Sequence, residues 1–321
     1  MLRTMIYRLA LLFLCTGCIN QAAAQAISLD HLQLPGSTGI SLDYQNDAIS
    51  KTDYYYTQGV QLALAHPALR RSPLMYVLIH PRTNRNTYGM ALEHDAYTPT
   101  SITSDSILYG DRPYAASFFV QTYAVSADQR RHARITTQLS VGFVGPAALG
   151  EEMQRLIHEN TNNTIPHGWQ YQVRNDLILN YQFQYDKNLV DISPFFYLHG
   201  TAGAAIGTYK DKADVGIIVA AGLLNNPLLS QQQRKVQVFI SDHPQLSVVG
   251  YDATLQGGLL NTYSPYIIPA SDISRITFKN ELAVNFSEMR LLLSGNYNWI
   301  SREFETGKPH RWGGLRIAYL F

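Results

Sequence analysis

Apolar and polar positions alternate with a period of two along much of the chain. The clearest case is the last stretch, where Leu315, Ile317, Tyr319 and Phe321 share one face and Arg316, Ala318 and Leu320 the other. That period is what a half-buried strand requires. Strands of about ten residues, apolar outside and mixed inside, are the pattern of a closed barrel crossing an outer membrane. Twelve such segments fall at roughly 39–47, 56–66, 86–96, 113–125, 132–143, 170–185, 189–209, 213–223, 235–254, 273–286, 289–302 and 311–321. Asp128-Gln129-Arg130, Asp186-Lys187-Asn188 and Ser287-Glu288 read as tight turns. Longer links fall at 48–55, 97–112, 144–169, 255–272 and 303–310, while 66–85 is long where a short turn is expected. Tyr, Phe and Trp gather near strand ends, as interfacial belts do. The fold class expected is all-β: a 12-stranded antiparallel transmembrane β-barrel with both termini in the periplasm. A large soluble β-sandwich is the alternative.

One stretch breaks the period. Gly142 to Trp169 carries a single short helical pattern, with Pro146 near its start, Glu151 and Glu152 in its early turns and Asn160 to Asn163 at its end. Gln154 and His158 stand at i and i+4, one turn apart on one face. The expectation is a helix in an extracellular loop that sets His158 over the barrel mouth.

Composition narrows the class. Only 15% of the 321 residues are charged, 11% are aromatic, 21 are tyrosine, and the net charge of +1 gives no sign of a nucleic-acid partner. Residues 1–26 read as a signal peptide: Arg3 and Arg8, then the apolar Leu9 to Leu14, then small residues around Ala22 to Ala26. The barrel is assigned to 27–321. Both cysteines, Cys15 and Cys18, lie in the signal, so the barrel has no disulfide. Cleavage before Cys18, as in a lipoprotein, is disfavoured by Cys15 standing where an apolar residue is needed. The longest apolar run after the signal, Ile217 to Leu224, is far below the roughly 20 residues of a membrane helix.

The motifs of common soluble enzymes are missing: G-x-S-x-G, the Walker loop, G-x-G-x-x-G and H-E-x-x-H. Polar residues instead gather at the ends of successive strands: Asn46-Asp47, Thr57, Asp111-Arg112, and Gln154 with His158. Each has a plain structural role available, as turn former, strand residue, ion pair or packed histidine. His31, His66, His80 and His310 receive that reading. If the odd-numbered links are extracellular, the four groups converge at the outer mouth.

In this order, LDYQND, TDYYYTQG, YTP (Tyr97 to Pro99), YGDRPYA (Tyr109 to Ala115), GPAALGEEMQRLIH, GWQYQ (Gly168 to Gln172) and SREF (Ser301 to Phe304) resemble the outer-membrane lipid A 3′-O-deacylases, over nearly the whole mature chain. The resemblance implies a twelve-stranded barrel that removes the ester-linked 3′ acyloxyacyl chain of lipid A in the outer leaflet, with calcium dependence. It matches Asn46, Asp47, Thr57 and His158 to the family's essential positions. The family also uses a lysine near its third strand, where this chain has Glu93-His94-Asp95; Lys51 or Arg112 could supply positive charge instead. Gln154, Arg112 and Lys51 are therefore candidate substrate contacts, and Asp47 a candidate Ca2+ ligand. His158 would activate water, an imidazole being the natural base at physiological pH. A Thr57 nucleophile served by His158 is the rival. The implied partners are lipopolysaccharide and, through the terminal Phe321, the outer-membrane assembly machinery; the protein is expected to be a monomer with its site facing outward. Two other classes stay open: a non-catalytic pore or adhesin, and a phospholipase-type barrel. The latter would use a serine beside a histidine, and none adjoins His158.

Overall fold

The computed structural model describes residues 38–47, 54–83, 85–229 and 234–321. The expected signal peptide and Lys51 lie outside the described residues. Twelve strands form one closed antiparallel barrel. They are β1 (Gly39–Asn46), β2 (Tyr55–Ala65), β3 (Arg85–Thr98), β4 (Ala115–Asp128), β5 (Ala133–Val144), β6 (Asp176–Ile192), β7 (Phe196–Gly207), β8 (Lys210–Leu223), β9 (Val236–Asp252), β10 (Ile276–Glu288), β11 (Leu291–Ile300) and β12 (His310–Leu320). β1 pairs with β12, Gly39 opposite Leu320 and Asn46 opposite Gly313, so no strand edge is left over. Closure is what lipid demands, because it offers unpaired backbone groups no partner.

Alternation decides which side each residue faces. On β3, Glu93, Asp95 and Tyr97 line the lumen, while Leu92 is 44% exposed on the outside. Leu62 and Leu64 on β2 and Leu282 and Val284 on β10 join Leu92 in an apolar outer band. The lumen holds a cavity of about 250 Å3, crossed by paired charges. Arg134 meets Asp186 at 2.7 Å, Arg316 meets Asp43 at 2.9 Å, and Lys210 meets Asp252 at 3.3 Å. Charges withdrawn from water persist when matched in this way.

Three expectations differ from the structure, besides the Ser287-Glu288 turn, which falls two residues later at Met289 and Arg290 because β10 runs through Glu288. Asp186, Lys187 and Asn188 are not a turn: β6 continues through them, because Asp186 points inward to Arg134 and Gln184. The chain reverses instead at Ser193, Pro194 and Phe195, where Phe195 N donates to Ile192 O. Second, β6 begins at Asp176 rather than near 170, since residues 169–171 form a 3-10 turn that buries Trp169. Third, not every aromatic near a strand end belongs to a lipid belt. Tyr297 and Tyr319 face outward, but Tyr56, Tyr97, Phe119, Tyr209 and Trp312 turn into the lumen and fill it near the loop-bearing rim.

Both described ends of the chain and the links after β2, β4, β6, β8 and β10 lie at one rim, the termini rim. The links after β1, β3, β5, β7, β9 and β11 lie at the other, the loop rim. The loop rim is roofed from inside. The β9–β10 link begins with a short helix, α2 (Ala253–Gln256). Leu255, Ile268 and Ile273 of that link pack on Tyr55 and Phe304 over the lumen.

Candidate functional site

The longer helix, α1 (Gly150–Thr161), stands in the β5–β6 link as the pattern predicts. Its acidic residues Glu151 and Glu152 occupy the first turn, and Asn162 closes it in a left-handed conformation at φ 53°. Its buried face is Gly150, Gln154 and His158, spaced by four. That face does not cover the mouth. It packs on the outside of the barrel wall.

Strand parity places that face on the outer wall. On β3, His94, Ala96 and Thr98 share the lipid-facing side with Leu92, and on β4 Ala116 shares it with Phe118. Leu92 and Phe118 are exposed, yet Ala96, Thr98 and Ala116 are fully covered and His94 nearly so. The cover is the β5–β6 link: Ala148 and Trp169 pack with Ala96, Tyr114 and Ala116. A Cβ on Gly150 would collide with the Ala116 methyl and come within 2.8 Å of the Trp169 ring, so only glycine lets α1 approach this closely. Trp169 Nε1 donates to Gln154 Oε1 at 2.8 Å and locks helix to link. His158 Nδ1 lies 2.5 Å from Thr164 O. A carbonyl oxygen only accepts, so Nδ1 carries the hydrogen and Nε2 keeps the lone pair.

Asn46 ends β1 on the same outer side, since Asp43 and Gln45 point inward to Arg316 and Asn296. Cross-strand pairing then makes a row along the outer wall: Asn46 opposite Gln58, Gln58 opposite Ala96, Ala96 opposite Ala116. Three strand spacings make this row about 14 Å long. From Gly150, which stands on Ala116, α1 advances about 12 Å to His158. Asn46 Nδ2 donates to Thr57 O at 2.9 Å, and buried Asp47 accepts from Tyr54 N at 2.9 Å. Thr57 sits where the β2–β3 register slips between Tyr56 and Gln58. Tyr55 just before it takes φ 68°, an unfavourable angle for a bulky residue, held by ring contacts to Phe304 and His310. Asn46, Asp47 and Thr57 thus gather amide, carboxylate and hydroxyl oxygens at one rim, a hard donor set of the kind calcium prefers. Among the described residues no group of three or more His, Cys, Asp or Glu is placed to hold a metal, so Asp47 would be the charged member of an oxygen set completed by neutral groups.

The Asp111-Arg112 motif proves to be architecture at the lid. Asp111 accepts from Thr100 N at 2.8 Å and so ties the YTP motif to the YGDRPYA motif. Arg112 is 1% exposed, pairs with Glu303 of the SREF motif at 2.6 Å, donates to Thr254 Oγ1 at 2.7 Å and lies 4.3 Å over the Tyr97 ring. Burial opposes its charge, but the Glu303 and Asp252 carboxylates outweigh it and hold the guanidinium above its ordinary pKa. Its charge is directed into the lid and lumen.

Four polar groups under or beside α1 escaped the reading of the sequence. Among the described residues the Thr98 hydroxyl, Gln58 Nε2, Gln172 Oε1 and Gln154 Nε2 have no hydrogen-bond partner, and the His94 ring has at most the Ala148 backbone beside it. The available signal was parity: a histidine two residues from Leu92 on a lipid-facing side breaks the apolar rule and marks a site.

The family model "Outer membrane protein LpxR" matches residues 9–321. Among solved structures, LpxR from Salmonella typhimurium superposes with a TM-score of 0.71 at 18% identity, covering 89% of this chain and 100% of that one. The β domain of the Bordetella autotransporter BrkA covers 89% of this chain and 99% of its own at 7% identity, with a TM-score of 0.47. No curated protein sequence matches the chain.

Proposed function

The chain belongs to the LpxR family of outer membrane proteins, and from that membership together with the polar seam between α1 and the outer wall we propose that it hydrolyses the ester-linked 3′ acyloxyacyl chain of lipid A. The observation that carries the chemistry is the His158 Nδ1 bond to Thr164 O, which leaves Nε2 as a base. In this scheme Nε2 takes a proton from water as the water oxygen attacks the acyl carbonyl carbon. When the tetrahedral intermediate collapses, the bond from that carbon to the sugar oxygen breaks. His158 returns the proton to the leaving sugar oxygen, giving a free fatty acid and a sugar hydroxyl. Thr57 and Asn46 orient the water and the ester. Asp47, with neighbouring amide and hydroxyl oxygens, would hold calcium, which when bound supplies positive charge beside the carbonyl oxygen. The unpartnered Nε2 of Gln154 and the His94 ring are placed to donate to substrate oxygens. Positive charge from Lys51 remains part of the proposal; Arg112 contributes by fixing the lid.

An outer-wall site suits this substrate. Lipid A would enter sideways from the leaflet, its acyl chains beside Leu92 and Phe118, without passing through the lumen. With the termini rim in the periplasm, the seam under α1 faces the outer leaflet. Mass spectrometry of lipid A from cells with and without the protein tests the reaction: loss of the mass of the 3′ acyloxyacyl chain is expected. Unchanged lipid A with altered phospholipids would favour the phospholipase reading, and unchanged lipids of both kinds a pore or adhesin. For the metal, exhaustive dialysis against EGTA should abolish fatty-acid release, and added calcium should restore it. Full activity after dialysis would remove calcium from the scheme.

A further inference from the structure

The link between β2 and β3 is long where a turn would do, and it folds against the outer wall at the termini rim. Two 3-10 turns, Pro67–Arg71 and Pro73–Tyr76, press Met75 and Leu78 onto Tyr88 and Ala124. Those two wall residues oppose each other across β3 and β4 and share the lipid-facing parity of Leu92 and Phe118. Ile79 is tied to the next two strands: Thr137 Oγ1 donates to Ile79 O at 2.9 Å, and Ile79 N donates to Tyr181 OH at 2.9 Å. The segment is therefore a strap on the membrane side of the barrel.

Its free surface is divided. Leu74, Tyr76, Val77 and Ile79 are exposed, Tyr76 at 90%. Arg70, Arg71 and Arg82 are exposed as well, and among the described residues none of the three forms an ion pair. Arg70 and Arg82 line a pocket of about 450 Å3 together with His66, Thr83, Asn86 and Thr87. The rim as a whole leans the same way: its turns carry Arg130, Arg131, Arg234 and Arg290 against Asp128, Asp191 and Glu288. Apolar side chains beside guanidinium groups at the rim of the barrel fit the interface between acyl chains and phosphates. A guanidinium offers paired N–H donors that match two phosphate oxygens.

We propose that this strap is a binding site for an anionic glycerophospholipid of the leaflet on the termini side, its phosphate held by Arg70 and Arg82 and its acyl chains lying along Tyr76 and Ile79. The site is separate from the seam under α1, being at the opposite rim. Its task is to pin β3 and β4, the strands on which the β5–β6 link packs, at a fixed depth in the membrane.

The test is native mass spectrometry of the full-length protein extracted from mixed vesicles of phosphatidylglycerol and phosphatidylcholine. The parental protein should retain phosphatidylglycerol above its share of the mixture. The variant carrying Arg70→Gln, Arg71→Gln and Arg82→Gln should lose about tenfold or more of that retention, each basic group near an anionic surface contributing several-fold. A second variant, Arg130→Gln with Arg131→Gln, removes charge from the same rim outside the pocket and should keep most of it. Heat-dependent gel mobility confirms that each barrel is folded. Equal retention in the parental protein and the strap variant would overturn the proposal, as would equal losses in both variants, which would reduce the effect to rim charge without a site.

Discussion

His158→Ala is expected to cut fatty-acid release by roughly 10²–10⁴-fold, the contribution of a positioned general acid–base group. The side chain hangs from a helix on the outer wall, and among the described residues its hydrogen bond is local, from Nδ1 to Thr164 O. No lumen ion pair depends on it, so the barrel should still show its heat-dependent shift in gel mobility. The expected loss is therefore chemical. His158→Gln should stay inactive although an amide could still donate to Thr164 O, because an amide cannot act as the base. Release measured on purified protein in lipid A micelles checks both, and parental rates in either variant would sink the role assigned to the imidazole.

Ala96→Phe should be nearly as damaging, by a different route. Ala96 is fully covered on the outer wall, within the row from Asn46 to Ala116 and in the cluster that seats Trp169. The larger ring must either fill the space between helix and wall or push the β5–β6 link away. Displacement of a catalytic group by about 1 Å can cost about 10²-fold, so a loss of at least that size is expected. Ala96 points away from the lumen, so the strand pairing and the lumen ion pairs do not depend on its side chain, and heat-dependent gel mobility checks that the barrel assembles.

Much of the fold is legible because lipid imposes a simple rule. All twelve strands could be marked from period-2 alternation, with ends within a few residues except around β6 and β7. The error there has a physical cause. Asp186 and Asn188 favour turns in isolation, but Asp186 is paired with Arg134 fifty-two positions earlier, and no local pattern reveals such a partner. The helix was legible too, from the early acids and the asparagine stop, although Pro146 opens a separate 3-10 turn ahead of it. Its docking side was not. The i, i+4 spacing of Gln154 and His158 says that they share a face, but what decides where that face lies is Gly150 against Ala116 and Trp169. Asn46, Asp47, Thr57 and His158 were singled out because polar groups crowd strand ends at one rim. His94 was overlooked for the opposite reason: standing between two acids that face the lumen, it reads as part of a charged stretch until parity is followed outward from Leu92.

The central claim is that the reaction belongs to the outer wall beneath α1 and not to the lumen. Fatty-acid release by Ala96→Phe and by Ala205→Phe, assayed side by side, tests it most directly, because Ala205 lines the lumen cavity. Loss in Ala96→Phe with near-parental release in Ala205→Phe is the predicted result; parental release in Ala96→Phe with loss in Ala205→Phe would contradict it.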